Sequence, residues 1–226
     1  MSAIKAIETY YKGCHFRSRL EARWAVFFDS IGIEWSYELE GFEWPARPAG
    51  PDDGFNGNPE LFGGHYLPDF WLPSIETWFE VKGGEPSRED LRILSEFDEV
   101  NDKRLVVAVG DIPHKTDLMG VPKELGYEGA WTGLCIPGDQ QYAWCSCPWC
   151  GKFGIEYNAR GARVCAFEDH SDLWHDPKED KLHRFVKPGS SIYYDKAYSG
   201  DDPRILWAYD EARSARFEHG QSGRRQ

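Results

Sequence analysis

Apolar residues first recur with helical spacing in the segment 17–32, RSRLEARWAVFFDSIG. Large apolar side chains stand there at i, i+4 and i+7, which predicts an amphipathic helix with one buried stripe. Ser18 is a residue type that caps helix N-termini, Glu21 stands three positions later as in a capping box, and Gly32 supplies a stop. The predicted stripe consists of Leu20, Trp24, Phe27, Phe28 and Ile31.

Alternating and continuous apolar patterns follow this helix. Residues 33–44 predict a strand, whereas residues 45–65, rich in Pro, Gly, Asn and Asp, predict a long surface loop. Residues 66–84, YLPDFWLPSIETWFEVKGG, predict two short strands around a turn. The continuous apolar run at 104–110 is typical of a strand buried on both faces.

Two further helices are predicted. Residues 86–97 give a helix capped by Ser87, with Leu91, Ile93 and Leu94 facing inward. A C-terminal helix at 203–220 would open with Pro203 near its first position and close at Gly220. The order over the first 110 residues is helix, three strands, helix, strand.

Charged side chains interrupt the predicted hairpin at three positions. If residues 73–76 form the turn, paired residue numbers sum to 149, so Asp69 lies opposite Glu80 and Lys82 points to the same face. Directly opposed carboxylates are destabilising unless a cation lies between them. Two carboxylates with water form a hard oxygen site that suits Mg²⁺, and Lys82 could hold a phosphate or a nucleophilic water. The alternative is a salt-bridged trio on a solvated sheet face.

This spacing resembles a known family. Pro68-Asp69, ten intervening residues and Glu80-Val81-Lys82 resemble the motif of the PD-(D/E)xK nuclease superfamily, of the small type found in phages and actinobacteria. The resemblance covers roughly residues 10–112, and the helix FRSRLEARWAVFF is similar to the acidic first helix of that fold. It implies Mg²⁺- or Mn²⁺-dependent hydrolysis of DNA, with Asp69, Glu80 and the Val81 carbonyl as metal ligands. Lys82 would position the nucleophile, and Glu21 would be an auxiliary carboxylate.

Glu21 has a second interpretation, in which it is only the capping-box partner of the Ser18 backbone amide.

The formal net charge of −12 argues against non-specific coating of nucleic acid. Arg17, Arg19 and Arg23 nevertheless form a basic edge that could contact DNA phosphates. A solvated helix face explains these arginines equally well.

The cysteines cluster late in the chain. Of six cysteines, four lie between residues 145 and 165, and CPWCG at 147–151 has the form of a zinc knuckle. Its predicted structural zinc ligands are Cys147, Cys150, Cys165 and His170, with Cys145 or His175 as substitutes. The alternative is a set of reduced structural cysteines.

These features predict an α/β protein with a restriction-endonuclease-like core at 1–120. A zinc-ribbon-like module at 121–185 and a linker with a C-terminal helix at 186–226 would follow. No run approaches the roughly 20 apolar residues that span a bilayer, and the start has no secretory pattern, so we expect a cytoplasmic protein. The resemblance implies that the cell is bacterial or phage-infected. The sequence leaves a homodimer open. The rival functions are a non-catalytic nucleic-acid- or protein-binding module that keeps the fold, and a zinc-stabilised protein whose acidic surface meets a basic partner.

Overall fold

The computed structural model describes residues 7–48, 61–114, 134–136, 139–146, 151–157 and 202–217. Within these ranges the α-helices are α1 (Arg19–Ile31), α2 (Arg88–Val100) and α3 (Pro203–Ser214). The strands are β1 (Thr9–Tyr11), β2 (Cys14–Phe16), β3 (Ser36–Tyr37), β4 (Phe42–Pro48), β5 (Leu61–Tyr66), β6 (Phe70–Leu72), β7 (Thr77–Lys82), β8 (Arg104–Val109), β9 (Leu134–Ile136), β10 (Asp139–Ser146) and β11 (Phe153–Tyr157). No described helix is long and apolar enough to cross a membrane.

The protein is a mixed α/β structure built on a mixed sheet. Within the described residues the main sheet has the order β11-β10-β9-β8-β7-β6-β3, while β1 pairs with β2 and β4 pairs with β5. Strands β7 and β8 are parallel and joined by α2, and the other pairs in the main sheet are antiparallel. The parallel pair needs a crossover connection, and α2 supplies it.

Two hydrophobic cores cover the two faces of this sheet. Alternate residues of β8 separate them, because Val106 and Ala108 pack with α1 and α3, whereas Leu105 and Val107 pack with α2. All four β8 residues are at most 2% exposed, which confirms the predicted strand buried on both faces. The α1 side contains most of the large aromatic side chains of the core.

Helix α1 matches its prediction closely. Ser18 is the N-cap, and its side chain accepts a hydrogen bond from the Glu21 amide. Gly32 ends the helix in the left-handed conformation at φ 71°, a region that glycine enters without steric cost. Its buried surface is wider than the predicted stripe, since Ala22, Ala25 and Val26 are also buried. The reason is that α3 packs on α1 within the same apolar cluster as the sheet strands.

The predicted strand at 33–44 and loop at 45–65 are wrong in part. The first divides into β3 and β4, with Glu38 between them at a left-handed φ of 47°. The second contributes to β4 and β5, and its residues 49–60 lie outside the described part. The glycines that suggested a loop serve close strand contact, because a Cβ on Gly63 would lie 2.6 Å from the Ala46 nitrogen.

Helices α2 and α3 differ in part from their predictions. In α2 the predicted inward residue Leu91 is 51% exposed, and Phe97 faces inward in its place. Phe97 lies near the end of the helix, where the rings of Phe42 and Tyr66 pack against it at 4.9 and 5.0 Å. Helix α3 begins at Pro203 as predicted but ends at Ser214 rather than near Gly220.

Strands β9, β10 and β11 lie in the segment assigned to a zinc-ribbon-like module. Val107 and Ala108 of β8 pair with β9, so these strands continue the main sheet. The predicted boundary at residue 120 falls between residues 115 and 133, outside the described part.

Candidate active site

A cleft of about 550 Å³ opens where β6 and β7 meet the start of α1. The predicted hairpin register is confirmed, because Leu72 pairs with Thr77 and Phe70 with Phe79. The turn residues Pro73–Ile75 form one turn of 3-10 helix. The cleft is lined by Arg17, Glu21, Gly41, Phe42, His65, Tyr66, Leu67, Asp69, Glu80, Val81 and Lys82.

Asp69 and Glu80 lie side by side in this cleft. Asp69 is 2% exposed and Glu80 is 4% exposed. The Asp69 amide donates to Glu80 Oε2 at 3.2 Å, and the Val81 amide donates to Asp69 Oδ2 at 2.8 Å. Burial, then the charges of Glu80 and Glu21, raise the pKa of Asp69 well above its usual value, against the opposing effects of the Val81 amide and Arg17.

Lys82 connects Glu80 to helix α2. Its Nζ lies 2.9 Å from Glu80 Oε1 and 3.3 Å from Asp90 Oδ1. Burial alone would lower the pKa of Lys82, but the two carboxylates outweigh it and raise the pKa, so the side chain is a cation at neutral pH. Asp90 is itself fixed by the capping box of α2, in which it exchanges hydrogen bonds with Ser87.

Glu21 faces the cleft and also organises the start of α1. Its Oε2 accepts hydrogen bonds from the Arg17 amide at 3.1 Å and from the Tyr37 hydroxyl at 2.5 Å. Its Oε1 accepts from the Ser18 hydroxyl at 2.7 Å. The predicted capping bond from the Ser18 amide is therefore replaced by one from Arg17, a residue earlier. The Glu21 carboxylate therefore accepts hydrogen bonds at the start of α1 and also lines the cleft.

Arg17 is, after Lys82, the second cation that pairs with a carboxylate of the cleft. Its Nη2 lies 2.7 Å from Asp69 Oδ1, and its Nε lies 2.8 Å from Glu38 Oε1. Its side chain is 58% exposed, whereas that of Asp69 is 3% exposed. Arg17 thus spans the mouth of the cleft between a buried carboxylate and a partly exposed one.

The other two arginines of the predicted basic edge lie further along α1. Arg19 is exposed. Arg23 is partly buried, and its Nη1 lies 3.5 Å from Asp111 Oδ1. Of the three predicted phosphate-binding arginines, the described cleft wall contains Arg17 alone.

The donor chemistry of the cleft fits a magnesium ion. Mg²⁺ prefers oxygen ligands and is usually bound by one or two carboxylates, with water and substrate oxygens completing its shell. Asp69 and Glu80 can supply the carboxylates. In the described residues, however, no group of three or more His, Cys, Asp and Glu side chains is arranged to hold a metal ion. Arg17 and Lys82 neutralise the two carboxylates, and Val81 contacts Asp69 through its amide.

The four predicted zinc ligands Cys147, Cys150, Cys165 and His170 lie outside the described residues, as does the substitute His175. The other substitute, Cys145, is buried in β10, and its thiol donates to the Gly154 carbonyl at 3.6 Å. Strands β10 and β11 pair up to Ser146 and Phe153, so the CPWCG knuckle belongs to the connection between them.

Sequence reasoning did not find four residues of this site. Tyr37 holds Glu21, Glu38 holds Arg17, Asp90 holds Lys82, and Tyr66 lines the cleft. Burial, followed by the nearby Glu80 charge, raises the pKa of the Tyr66 hydroxyl, which keeps it protonated. Asp90 had a sequence signal, since it stands three residues after the Ser87 cap; the others depend on tertiary contacts that no local pattern encodes.

None of the protein-family models, curated proteins or solved structures compared with the chain matches it. The residues of the cleft are therefore the basis on which we infer a function.

Proposed function

We propose that the protein is a metal-dependent nuclease that hydrolyses DNA phosphodiester bonds. The observation that carries the proposal is the hairpin register, which brings two nearly buried carboxylates and one ammonium group into an open cleft. Folding places Asp69 beside Glu80 although their charges repel, and raised carboxyl pKa values of this kind are concentrated at functional sites. The resemblance to the PD-(D/E)xK superfamily gives these residues the same roles.

Each side chain has a distinct task in this proposal. Asp69 and Glu80 would hold Mg²⁺ or Mn²⁺, with the Val81 carbonyl as a further ligand. The bound ion supplies an activated water and neutralises charge on the scissile phosphate. Lys82, protonated between Glu80 and Asp90, would donate to a phosphate oxygen or orient the attacking water.

The same proposal includes the groups around these residues. Glu21 would be an auxiliary carboxylate, held in place by Tyr37 and Ser18. Arg17, Arg19 and Arg23 would contact DNA phosphates. A structural zinc on Cys147, Cys150, Cys165 and His170 would hold the β10–β11 connection, and elemental analysis should then find about one zinc per chain.

Cleavage assays with three variants test the nuclease proposal. Asp69→Asn, Glu80→Gln and Lys82→Met should each reduce Mg²⁺-dependent cleavage of supercoiled, linear or branched DNA by about 100-fold or more, because each removes a charge that would act on the transition state. EDTA should abolish cleavage by the wild type, and Mn²⁺ should support it.

Lys103→Met is the matched control. Lys103 also pairs with a carboxylate, Glu76 at 2.9 Å, but at the turn end of β7 and away from the cleft. It should cleave DNA like the wild type. Wild-type cleavage in both Asp69→Asn and Glu80→Gln would exclude the site.

A second candidate is a non-catalytic protein that binds nucleic acid or another protein. It is favoured by the ion pairs of Asp69 with Arg17 and of Glu80 with Lys82, because these satisfy the carboxylates without a metal. The same assays separate the two candidates. DNA binding without cleavage under any metal condition would support the second one.

A further inference from the structure

Asp69 offers one carboxylate oxygen to the cleft, and that oxygen is already in an ion pair. Oδ2 accepts the Val81 amide at 2.8 Å, on the side of the sheet. Oδ1 contacts Arg17 Nη2 at 2.7 Å, on the side of the cleft mouth. An ion that enters from the cleft mouth would meet the oxygen that Arg17 contacts.

A divalent cation and the guanidinium group cannot share this oxygen favourably. Mg²⁺ lies about 2.0–2.1 Å from a carboxylate oxygen, so the two cations would be within roughly 5 Å of each other. Like charges at that distance repel strongly in a partly buried site. Binding of either cation at Oδ1 therefore weakens binding of the other.

Arg17 has a second carboxylate partner, Glu38, that can hold its guanidinium group when it moves away from Asp69. Its side chain is 58% exposed, and its Nε is also held at 2.8 Å by Glu38 Oε1. Glu38 in turn is fixed by its amide, which donates to the Asp69 carbonyl at 2.9 Å. If Nη2 moves away from Asp69, the guanidinium group stays attached to Glu38 at the cleft mouth.

We propose that Arg17 is an internal cation that takes the place of the divalent metal on Asp69 and is displaced when the metal binds. This inference rests on the proposed metal site and adds a competition within it. The arginine neutralises a buried carboxylate while the metal is away, which makes the cleft stable but weakens its metal affinity. Once displaced, the fork of N–H groups is free to donate to a phosphate oxygen of the substrate, the geometry for which arginine is suited.

Mg²⁺ binding measured by isothermal titration calorimetry on the full chain at pH 8.5 tests the competition. The alkaline pH favours the ionised form of Asp69, because burial and neighbouring charges raise the pKa of this group. Arg17→Gln should bind Mg²⁺ about tenfold more tightly than the wild type, within the usual range of coupling between two linked binding events. Its melting temperature without Mg²⁺ should fall, and added Mg²⁺ should raise it more than it raises that of the wild type.

Two controls make the result specific. Arg19→Gln removes the same charge two residues away, on an exposed side chain, and should change Mg²⁺ affinity by less than about twofold, because screening weakens long-range charge effects. Asp69→Asn should lose Mg²⁺ binding. If Arg17→Gln fails to fold, Arg17→Lys replaces it, and its single ammonium group should give a smaller gain in affinity.

The outcomes separate this inference from the nuclease proposal. If Asp69→Asn loses Mg²⁺ binding but the Arg17 variants bind no tighter than the wild type, the competition is wrong and the metal site stands. If Arg17→Gln and Arg19→Gln raise Mg²⁺ affinity equally, the increase comes from the change in net charge alone, and the inference is overturned. If neither the wild type nor the Arg17 variants bind Mg²⁺, both proposals are wrong.

Discussion

The two faces of strand β7 show how one buried strand can serve two purposes. Phe79 and Val81 face the α1 side, where each is at most 9% exposed within an apolar cluster. Trp78, Glu80 and Lys82 alternate with them on the α2 side, so that this face changes from an aromatic core to a charged cleft along the strand. Glu80 is nearly as buried as its neighbours, although its side chain is a carboxyl group. Burial alone therefore does not distinguish the core from the site. The distinction lies in the free energy that it costs to bury a polar or charged side chain, which an apolar side chain does not incur.

The largest change in stability should come from the apolar face. Phe79→Ala should lower the free energy of unfolding by about 3–5 kcal/mol, because the side chain is fully buried against Trp24 and Phe28, with ring centroids 4.9 and 5.2 Å away. Urea denaturation measures this loss. Glu80→Gln, one residue along the strand, is the comparison and should keep most of its stability. A loss below 1 kcal/mol in Phe79→Ala would contradict the comparison.

The charged face should gain stability when its repelling charge is removed. Without metal, Asp69→Asn should be about 1 kcal/mol more stable than the wild type at pH 8, since the amide ends the repulsion with Glu80 and Arg17 stays solvated and paired with Glu38. The folded-state pKa of Asp69 is raised above its ordinary value of 3.8, so folding favours the protonated acid. Wild-type stability associated with this group is thus fully present below pH 3.8 and is lost as pH rises through the folded pKa.

The gain of Asp69→Asn should accordingly shrink as pH falls below the folded pKa of Asp69. Thermal unfolding of both proteins from pH 8 to pH 4 measures this trend. A gain that grows toward acid pH would show that the carboxyl is stabilised as an anion, against the direction inferred from its surroundings.

The smallest losses of stability should arise at the start of α1, where the two faces meet. Ser18→Ala should cost about 1 kcal/mol, because the Glu21 amide loses its acceptor. Glu21→Gln should cost less, since the amide oxygen can still accept the Arg17 amide and the neighbouring hydroxyls can rotate. We expect Glu21→Gln to lower DNA cleavage strongly and Ser18→Ala to spare most of it. If Glu21→Gln cleaves like the wild type, Glu21 has only a structural role.

The sequence was sufficient for those features that local physics determines. The cap at Ser18, the stop at Gly32 and the register that sets Asp69 opposite Glu80 all follow from residue type and period-two alternation. The charged face could be located because Lys82 follows Glu80 by two positions and so must share its side of the strand.

Features that depend on distant segments were not predictable. Gly63 and Gly64 look like loop residues in sequence, but they lie in β5. There Ala46 and Trp44 approach them so closely that no side chain would fit. The contact between Arg17 and Asp69 joins residues 52 positions apart, and no periodicity encodes it. The sequence indicated a basic helix start and an acidic hairpin separately, but only the folded structure shows that Arg17 pairs with Asp69.

The packing of α3 on α1 has a consequence for the order in which the protein forms during synthesis. Trp24 and Phe27 contact Tyr209 of α3, and about 170 residues separate the two helices along the chain. At roughly 5–20 residues per second, a ribosome needs about 10–30 s to reach α3 after completing α1. During that interval Trp24 and Phe27 lack their contacts with Tyr209, although α1 already carries Glu21. The aromatic core, and with it the firm placement of the cleft wall, is completed only when this late segment emerges.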